Sequence, residues 1–154
     1  RNIRAVRGGK RRAMNRYSYP AILESSEEGG YVVTFREFPE AITQGESLEE
    51  SLIEASECLA EAIAARIDDS AEIPEPSEIR EGEYRVAVPL RIALKAALYS
   101  ALKETGIAKT QLGEMLVKDE KEIRRILDPH HGTKLPTIEQ ALNALGKWPE
   151  LYLH

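Results

Sequence analysis

Residues Ile107–Gly146 read IAKTQLGEMLVKDEKEIRRILDPHHGTKLPTIEQALNALG, and the reading of the whole chain is built outward from them. Three short helical runs follow one another with little slack. Leu112 and Leu116 are four apart and share a helix face. Gly113 beside them is small enough to let two helices approach closely. Asp119 is placed to cap the next helix, with Glu122 at the capping-box position. Ile123, Ile126 and Leu127 then form an inward stripe, which leaves Glu120, Lys121, Arg124 and Arg125 outward. A helix, a tight turn and a second helix with a polar, basic outer face make a helix-turn-helix pattern.

This last third of the chain resembles lambda-repressor-like helix-turn-helix domains. Ile123-Arg124-Arg125-Ile126-Leu127-Asp128, then His131-Gly132-Thr133-Lys134, then Ala141-Leu142 and Ala144-Leu145-Gly146-Lys147 are similar to the form carried by HicB antitoxins. One departure stands out. The turn of that family has Gly followed by an apolar residue, where this chain has Val117 and Lys118. A left-handed Val is strained, so the turn is expected to be built differently here. The resemblance implies DNA binding. On that expectation Glu120, Lys121 and Arg124 are chosen from the outward face for base-edge reading, and Lys118, Arg125, Thr133 and Lys134 for phosphate contacts.

Charge divides the chain. Net charge is −5 over 154 residues. Residues 1–13 carry +6, residues 14–89 carry −13 and residues 90–154 carry +2. An acidic block suits a basic protein partner and repels nucleic acid, whereas a positive module can settle on phosphates. The asymmetry therefore predicts two domains with two kinds of partner: residues 16–89, and residues 90–154, after a flexible basic extension over 1–15. A basic arm touching nucleic acid is the alternative for that extension. Charged residues make up 31% and aromatics 6%, and no apolar run is long enough to span a bilayer, so a soluble cytoplasmic protein is expected. The single cysteine, Cys58, sits near the edge of a helical stripe and reads as a reduced, part-buried thiol.

Before the helical third, the period changes. Tyr17, Tyr19, Ala21 and Leu23 fall on one side of a strand over Tyr17–Glu24. Pro20 lacks a donor and predicts an edge or locally irregular strand. Glu27-Glu28-Gly29-Gly30 is a turn, and Tyr31–Arg36 is a second strand, making a hairpin. Ala41–Gln44 is a short third. Ser47-Leu48-Glu49-Glu50 is a capping box that opens a long amphipathic helix to about Ile67, with Leu48, Leu52, Ala55, Leu59, Ala62, Ile63 and Ile67 at helical spacing. Tyr84–Val88 is the fourth strand. Pro89 opens a further helix through Leu90, Leu94, Leu98 and Leu102, closed by Gly106. The fold class is thus an α+β N-terminal domain (three strands, helix, strand) followed by an all-α domain.

The N-terminal half resembles the HicB domain over residues 31–55. The similarity lies in Tyr31-Val32-Val33-Thr34-Phe35, then Phe38-Pro39-Glu40-Ala41-Ile42-Thr43-Gln44-Gly45, then the helix start Ser47-Leu48-Glu49-Glu50-Ser51-Leu52. The resemblance implies a partial ribonuclease H-like fold. It also implies a partner: a small basic HicA-type toxin, an RNA-cleaving protein that this chain would cover. No toxin-contacting residue can be named from the sequence.

Catalytic chemistry is not legible. Nucleases of the ribonuclease H fold hold metal ions with clustered carboxylates. Here the first strand carries no acid until Glu24, and Glu49, Glu50, Glu54, Glu57 and Glu61 read as a solvated helix face. His130 and His131 are adjacent and point apart, a poor chelate without further ligands; they read as a polar loop or a phosphate contact. Gly8-Gly9-Lys10 lacks the spacing of a phosphate loop. No metal, cofactor or catalytic group is assigned. The expectation is an antitoxin that neutralises its toxin and represses its own operon as a homodimer or higher homo-oligomer, without membrane association. The apolar tail Trp148, Leu151, Tyr152 and Leu153 supports that dimer or, the favoured reading, packs back on its own domain. A stand-alone helix-turn-helix regulator with an α+β sensing domain is the alternative, and a metal-dependent ribonuclease is a third.

Overall fold

The computed structural model describes residues 16–154, so the basic run before Arg16, with its Gly8-Gly9-Lys10, lies outside the described residues. Strands β1 (Ser18–Ser25), β2 (Tyr31–Phe35) and β3 (Ile42–Gly45) precede helix α1 (Leu48–Asp68), and β4 (Tyr84–Ala87) follows it. Helices α2 (Leu90–Thr105), α3 (Lys109–Leu116), α4 (Glu120–Leu127) and α5 (Leu135–Ala144) complete the order. The sheet is antiparallel throughout, in the order β3-β2-β1-β4.

β1 is therefore an interior strand, not the edge that Pro20 predicted. The proline is accommodated because the two ladders overlap so little. β4 pairs with Ser18–Ala21, and β2 pairs only from Ala21 onward, so Pro20 opposes Arg85 alone. A residue without an N–H is tolerated where the sheet is locally one-sided. The alternation is otherwise as the period predicts. Tyr19 and Ala21 are fully buried, and Tyr17 and Leu23 pack against the same core.

α1 lies across this sheet. Ser47 Oγ accepts from the Glu50 N–H at 3.1 Å, capping the helix. The return arm of the box is displaced by one residue: Glu50 Oε2 accepts from the Glu46 N–H at 3.0 Å. Ala55, Leu59, Ala62, Ile63 and Ile67 are buried as their spacing demands, while Leu48 in the first turn is 38% exposed. Gly45 sets how closely α1 approaches β3. A Cβ there would stand 2.6 Å from the Ser51 backbone nitrogen, so a side chain would push helix from strand.

α2 belongs to both halves. Its Ile92 and Ala96 enter the sheet-side core with Tyr19, Leu59 and Val86, whereas its Leu98 and Ala101 enter the bundle core with Leu112, Ile123, Ile126 and Leu142. The bundle's turn between α3 and α4 corrects one expectation. Val117 does adopt the left-handed conformation, at φ 55°, with its side chain 91% exposed. Gly113 explains why. A Cβ on it would meet Lys118 O at 3.0 Å and Ile123 Cγ1 at 3.4 Å, so α4 packs directly on α3 there. The Lys118 N–H closes onto Gly113 O at 2.9 Å. Packing fixes the turn, and Val117 absorbs the strain, of about 1–3 kcal/mol for a non-glycine residue.

Candidate functional site: a basic helix face and an acidic helix face

α4 begins at Asp119, whose Oδ1 accepts from the Glu122 N–H at 2.8 Å. Ile123 and Ile126 are buried, and this fixes the helix's rotation. Glu120, Lys121, Arg124 and Arg125 are consequently exposed on its outer side. Arg124 Nη2 donates to Glu120 Oε1 at 3.3 Å across one turn, with side chains 69% and 83% exposed; such a pair is worth little and is easily exchanged for another acceptor. Lys121, Arg124 and Arg125 line one cleft of about 710 Å3 together with Lys103 and Lys109. Sequence reasoning missed those last two. Helical spacing carries no sign of them, because they come from the end of α2 and the start of α3.

The residues expected to touch phosphate are less uniform. Arg125 and Lys134 are exposed. Lys118 Nζ stands 3.7 Å from Glu122 Oε2. Thr133 is used internally: its hydroxyl accepts from Lys95 Nζ at 2.7 Å and lies 3.3 Å from Arg125 O. Lys95 itself was not singled out from the sequence. It falls among apolar residues of α2 yet is only 3% exposed, and it donates to Ile126 O at 2.7 Å and Arg125 O at 3.1 Å as well.

The two histidines separate, as adjacent residues should. His131 Nδ1 lies 3.3 Å from the Thr133 hydroxyl. His130 crosses to the other half, its Nε2 2.6 Å from Asp68 Oδ2 at the end of α1. Hydrogen bonding to Asp68 and that carboxylate's charge raise the His130 pKa above its ordinary 6.5. Asp128 joins them, so that one possible ligand atom from each of the three lies within 4.8 Å of the others, all three residues being exposed. The chain fold thus supplies His130 with one carboxylate neighbour distant in sequence, Asp68, beside the local Asp128. Tyr99 adds a second link between the halves, its hydroxyl donating to Ala71 O at 2.5 Å.

On the other half, Glu49, Glu54, Glu57 and Glu61 are all exposed along α1, as a solvated helix face. Glu57 meets Arg91 at 2.9 Å. At the helix's far end Arg66 grips Glu40 through two nitrogens, at 2.7 and 2.8 Å, and lies over the Phe38 ring at 4.6 Å. That hydrogen bonding holds the Glu40 carboxyl below the usual carboxylate range. Cys58 is half-buried, and burial raises its thiol pKa.

The C-terminal tail does not pack back. Trp148, Leu151, Tyr152 and Leu153 are 69–82% exposed, because α5 ends at Ala144 and the left-handed Gly146 directs the chain outward. Tyr152 lies under Arg16, the guanidinium 5.9 Å from the ring centre. Among the described residues no helix is long and apolar enough to cross a membrane.

Residues 18–97 match the family model described as the HicB-like antitoxin of bacterial toxin-antitoxin systems. Antitoxin HicB of Escherichia coli K12 is 36% identical over 129 residues, covering 84% of this chain and 94% of the relative. Antitoxin HicB 2 of Photorhabdus laumondii is 41% identical over 133 residues, covering 86% and 94%. Antitoxin HicB 1 of the same organism is 35% identical over 145 residues, covering 93% and 92%. A solved toxin-antitoxin complex from Streptococcus pneumoniae is 34% identical over 40% of this chain and 44% of that chain, with a TM-score of 0.37. The α+β layer and its helical bundle belong to an antitoxin: this chain is a member of the HicB-like family of bacterial toxin-antitoxin systems. The family match runs past Pro89 into α2, and α2 is the helix that both cores share.

Proposed function

We propose that this antitoxin neutralises a small basic toxin of the HicA type through its acidic α+β half and represses its own operon through its helical bundle. The observation that carries the reading is the opposition of two exposed helix faces. α1 presents Glu49, Glu54, Glu57 and Glu61, and α4 presents Lys121, Arg124 and Arg125. The first face attracts a basic partner and speeds encounter with it. The second, capped by Asp119 and with its basic side chains outward, carries an arginine able to grip a guanine edge.

On this reading α3 and α4 are the helix-turn-helix, with Glu120, Lys121 and Arg124 toward base edges. Arg125, Lys118 and Lys134 face phosphates, joined by Lys103 and Lys109 from the cleft wall. Thr133 holds the loop behind α4 and contributes to phosphate contact only through its backbone. Masking the toxin requires coverage of its RNA surface and no chemistry from this chain. The exposed tail around Trp148 is the surface for a second copy. Two copies would set two α4 helices about 34 Å apart on a palindrome.

The test uses the whole chain. DNA from its own promoter should be retarded in a gel, with affinity falling steeply as salt rises. RNA should be protected from cleavage by the protein encoded next to it. Retardation that is indifferent to promoter sequence, or RNA cleaved as fast with the chain as without it, contradicts the corresponding half of the proposal.

A further inference from the structure

Lys95 is a buried cation in a chain whose other α2 charges lie near the surface. It sits one residue before Ala96, which belongs to the sheet-side core, and its ammonium reaches forward into the bundle. There it meets Ile126 O at 2.7 Å, Arg125 O at 3.1 Å and the Thr133 hydroxyl at 2.7 Å. The first two are last-turn carbonyls of α4, which lie beyond the regular ladder of the helix; Arg125 O also accepts from the Asp128 N–H at 3.3 Å, whereas the bond from Lys95 to Ile126 O is buried. Ile126 is buried and so is its bond to Lys95, so water does not substitute for the ammonium. Thr133 ties the loop after α4 into the same cluster, its hydroxyl also lying 3.3 Å from Arg125 O. An ammonium has three hydrogens to give, and three acceptors surround this one.

We infer that Lys95 is a positioning residue for the DNA-reading helix: its ammonium locks the C-terminal turn of α4 and the 128–133 loop, and so fixes the direction in which Arg124 and Arg125 project. The inference rests on the DNA-binding reading of the bundle. Hydrophobic packing alone does not set that direction. Ile123 and Ile126 fix the rotation of α4, but the helix is 8 residues long and its C-cap, Asp128, is in extended conformation. A helix of two turns has little internal resistance to fraying. The Asp128 N–H bonds Arg124 O and Arg125 O, and Lys95 extends that cap to Ile126 O.

The charge state gives the test an independent handle. Burial pushes the Lys95 pKa down to about 8, with the Asp128 carboxylate opposing the shift. The other charged or titratable groups of the elements around the ammonium are Glu120, Lys121, Glu122, Arg124 and Arg125 on α4, His130, His131 and Lys134 after it, and Arg91, Tyr99, Lys103 and Glu104 on α2 itself. The folded value lies below the ordinary 10.5, so deprotonation through that window raises global stability as pH climbs. The positioning role runs the other way. A neutral amine has one donor fewer and no charge, so the lock weakens above pH 8.

The experiment compares the full chain with Lys95→Met, an apolar near-isostere that removes the buried charge and leaves Ile126 O without its donor. At pH 7 the variant should stay folded, melt below the parent temperature and protect RNA from the toxin equally well. It should bind promoter DNA about tenfold more weakly, the loss expected of a charge-assisted bond. Amide exchange in residues 124–133 should accelerate while α1 is unchanged. Between pH 7 and 9 the parent's advantage in DNA affinity should shrink, the variant supplying the background from surface lysines. A folded Lys95→Met protein with parental affinity and parental exchange in α4 overturns the inference. A parent chain that ignores its promoter overturns the DNA reading instead, and the exchange measurement still decides the role of Lys95.

Discussion

The sheet-side half and the helical half reach their cores by opposite routes. In the first, Tyr19, Phe38, Leu59 and Ile63 are fully buried between one long helix and four strands, and Tyr19 meets Phe38 edge to face at 4.8 Å. In the second, short helices of 8 and 10 residues enclose aliphatic side chains, and close approach at Gly113 does what bulky rings do elsewhere. The first is a broad layer with an acidic outside. The second is a small frame that holds one helix at a fixed angle and leaves strain at Val117. The difference teaches how a broad face suited to the proposed coverage and a small frame suited to the proposed aim can share one chain. Yet α2 supplies side chains to both cores, so the boundary expected at Pro89 falls just before a helix that the two cores share.

That shared helix gives the largest expected effects. Leu59→Ala and Leu112→Ala each remove a fully buried leucine, one per core. Each should cost about 3 kcal/mol. Thermal melting followed by circular dichroism should show one cooperative transition in both variants. Two separated transitions, with only one displaced by each substitution, would break the coupling through α2 and restore two independent domains.

A smaller effect of opposite sign sits in the bundle alone. Val117→Gly removes a β-branched residue from left-handed backbone, and its 91% exposed side chain forfeits almost no packing. The variant should gain about 1 kcal/mol, seen as a higher urea midpoint with an unchanged slope. A loss would mean that Val117 makes contacts its exposure does not reveal.

The smallest effect concerns the link between halves. His130 has its folded pKa above 6.5 because Asp68 accepts from it. Stability from that bond is fully present below the unfolded value near 6.5 and is lost as pH rises through the higher folded value. The melting temperatures of parent and His130→Gln should therefore differ most in mild acid and converge in mild alkali. A constant difference across that range would show that the ring contributes by packing and not by charge.

Much of this architecture was legible in the sequence, and the exceptions have physical causes. Among the described residues, periodicity located most strands and helices, because Val33 and Phe35 alternate and Leu59 and Ile63 recur with the helix turn, and the break at Pro39 located β3. Ser47 and Asp119 announced their helices through side-chain caps that the structure contains. Of the two readings of Pro20, the edge strand failed and the local irregularity held: β1 lies inside the sheet, yet Pro20 pairs on one side only. Val117 misled because a local preference was outweighed by the packing of α4 on Gly113. Of the candidate site, the outward residues of α4 were readable from their spacing. Lys95 and the Asp68–His130 contact were not, since both depend on chain segments brought together only by the fold. Thr133 looked available for phosphate because its sequence neighbourhood is polar. Nothing there revealed the lysine behind it.

The central claim is that one chain performs two tasks on two faces, and Arg124→Ala tests it most directly. Both activities are measured on the same preparation: retardation of promoter DNA, and protection of RNA from the neighbouring toxin. The account predicts DNA affinity lowered by at least about tenfold, the cost of one lost guanine contact, with protection unchanged. Equal loss of both activities, or of neither, contradicts it.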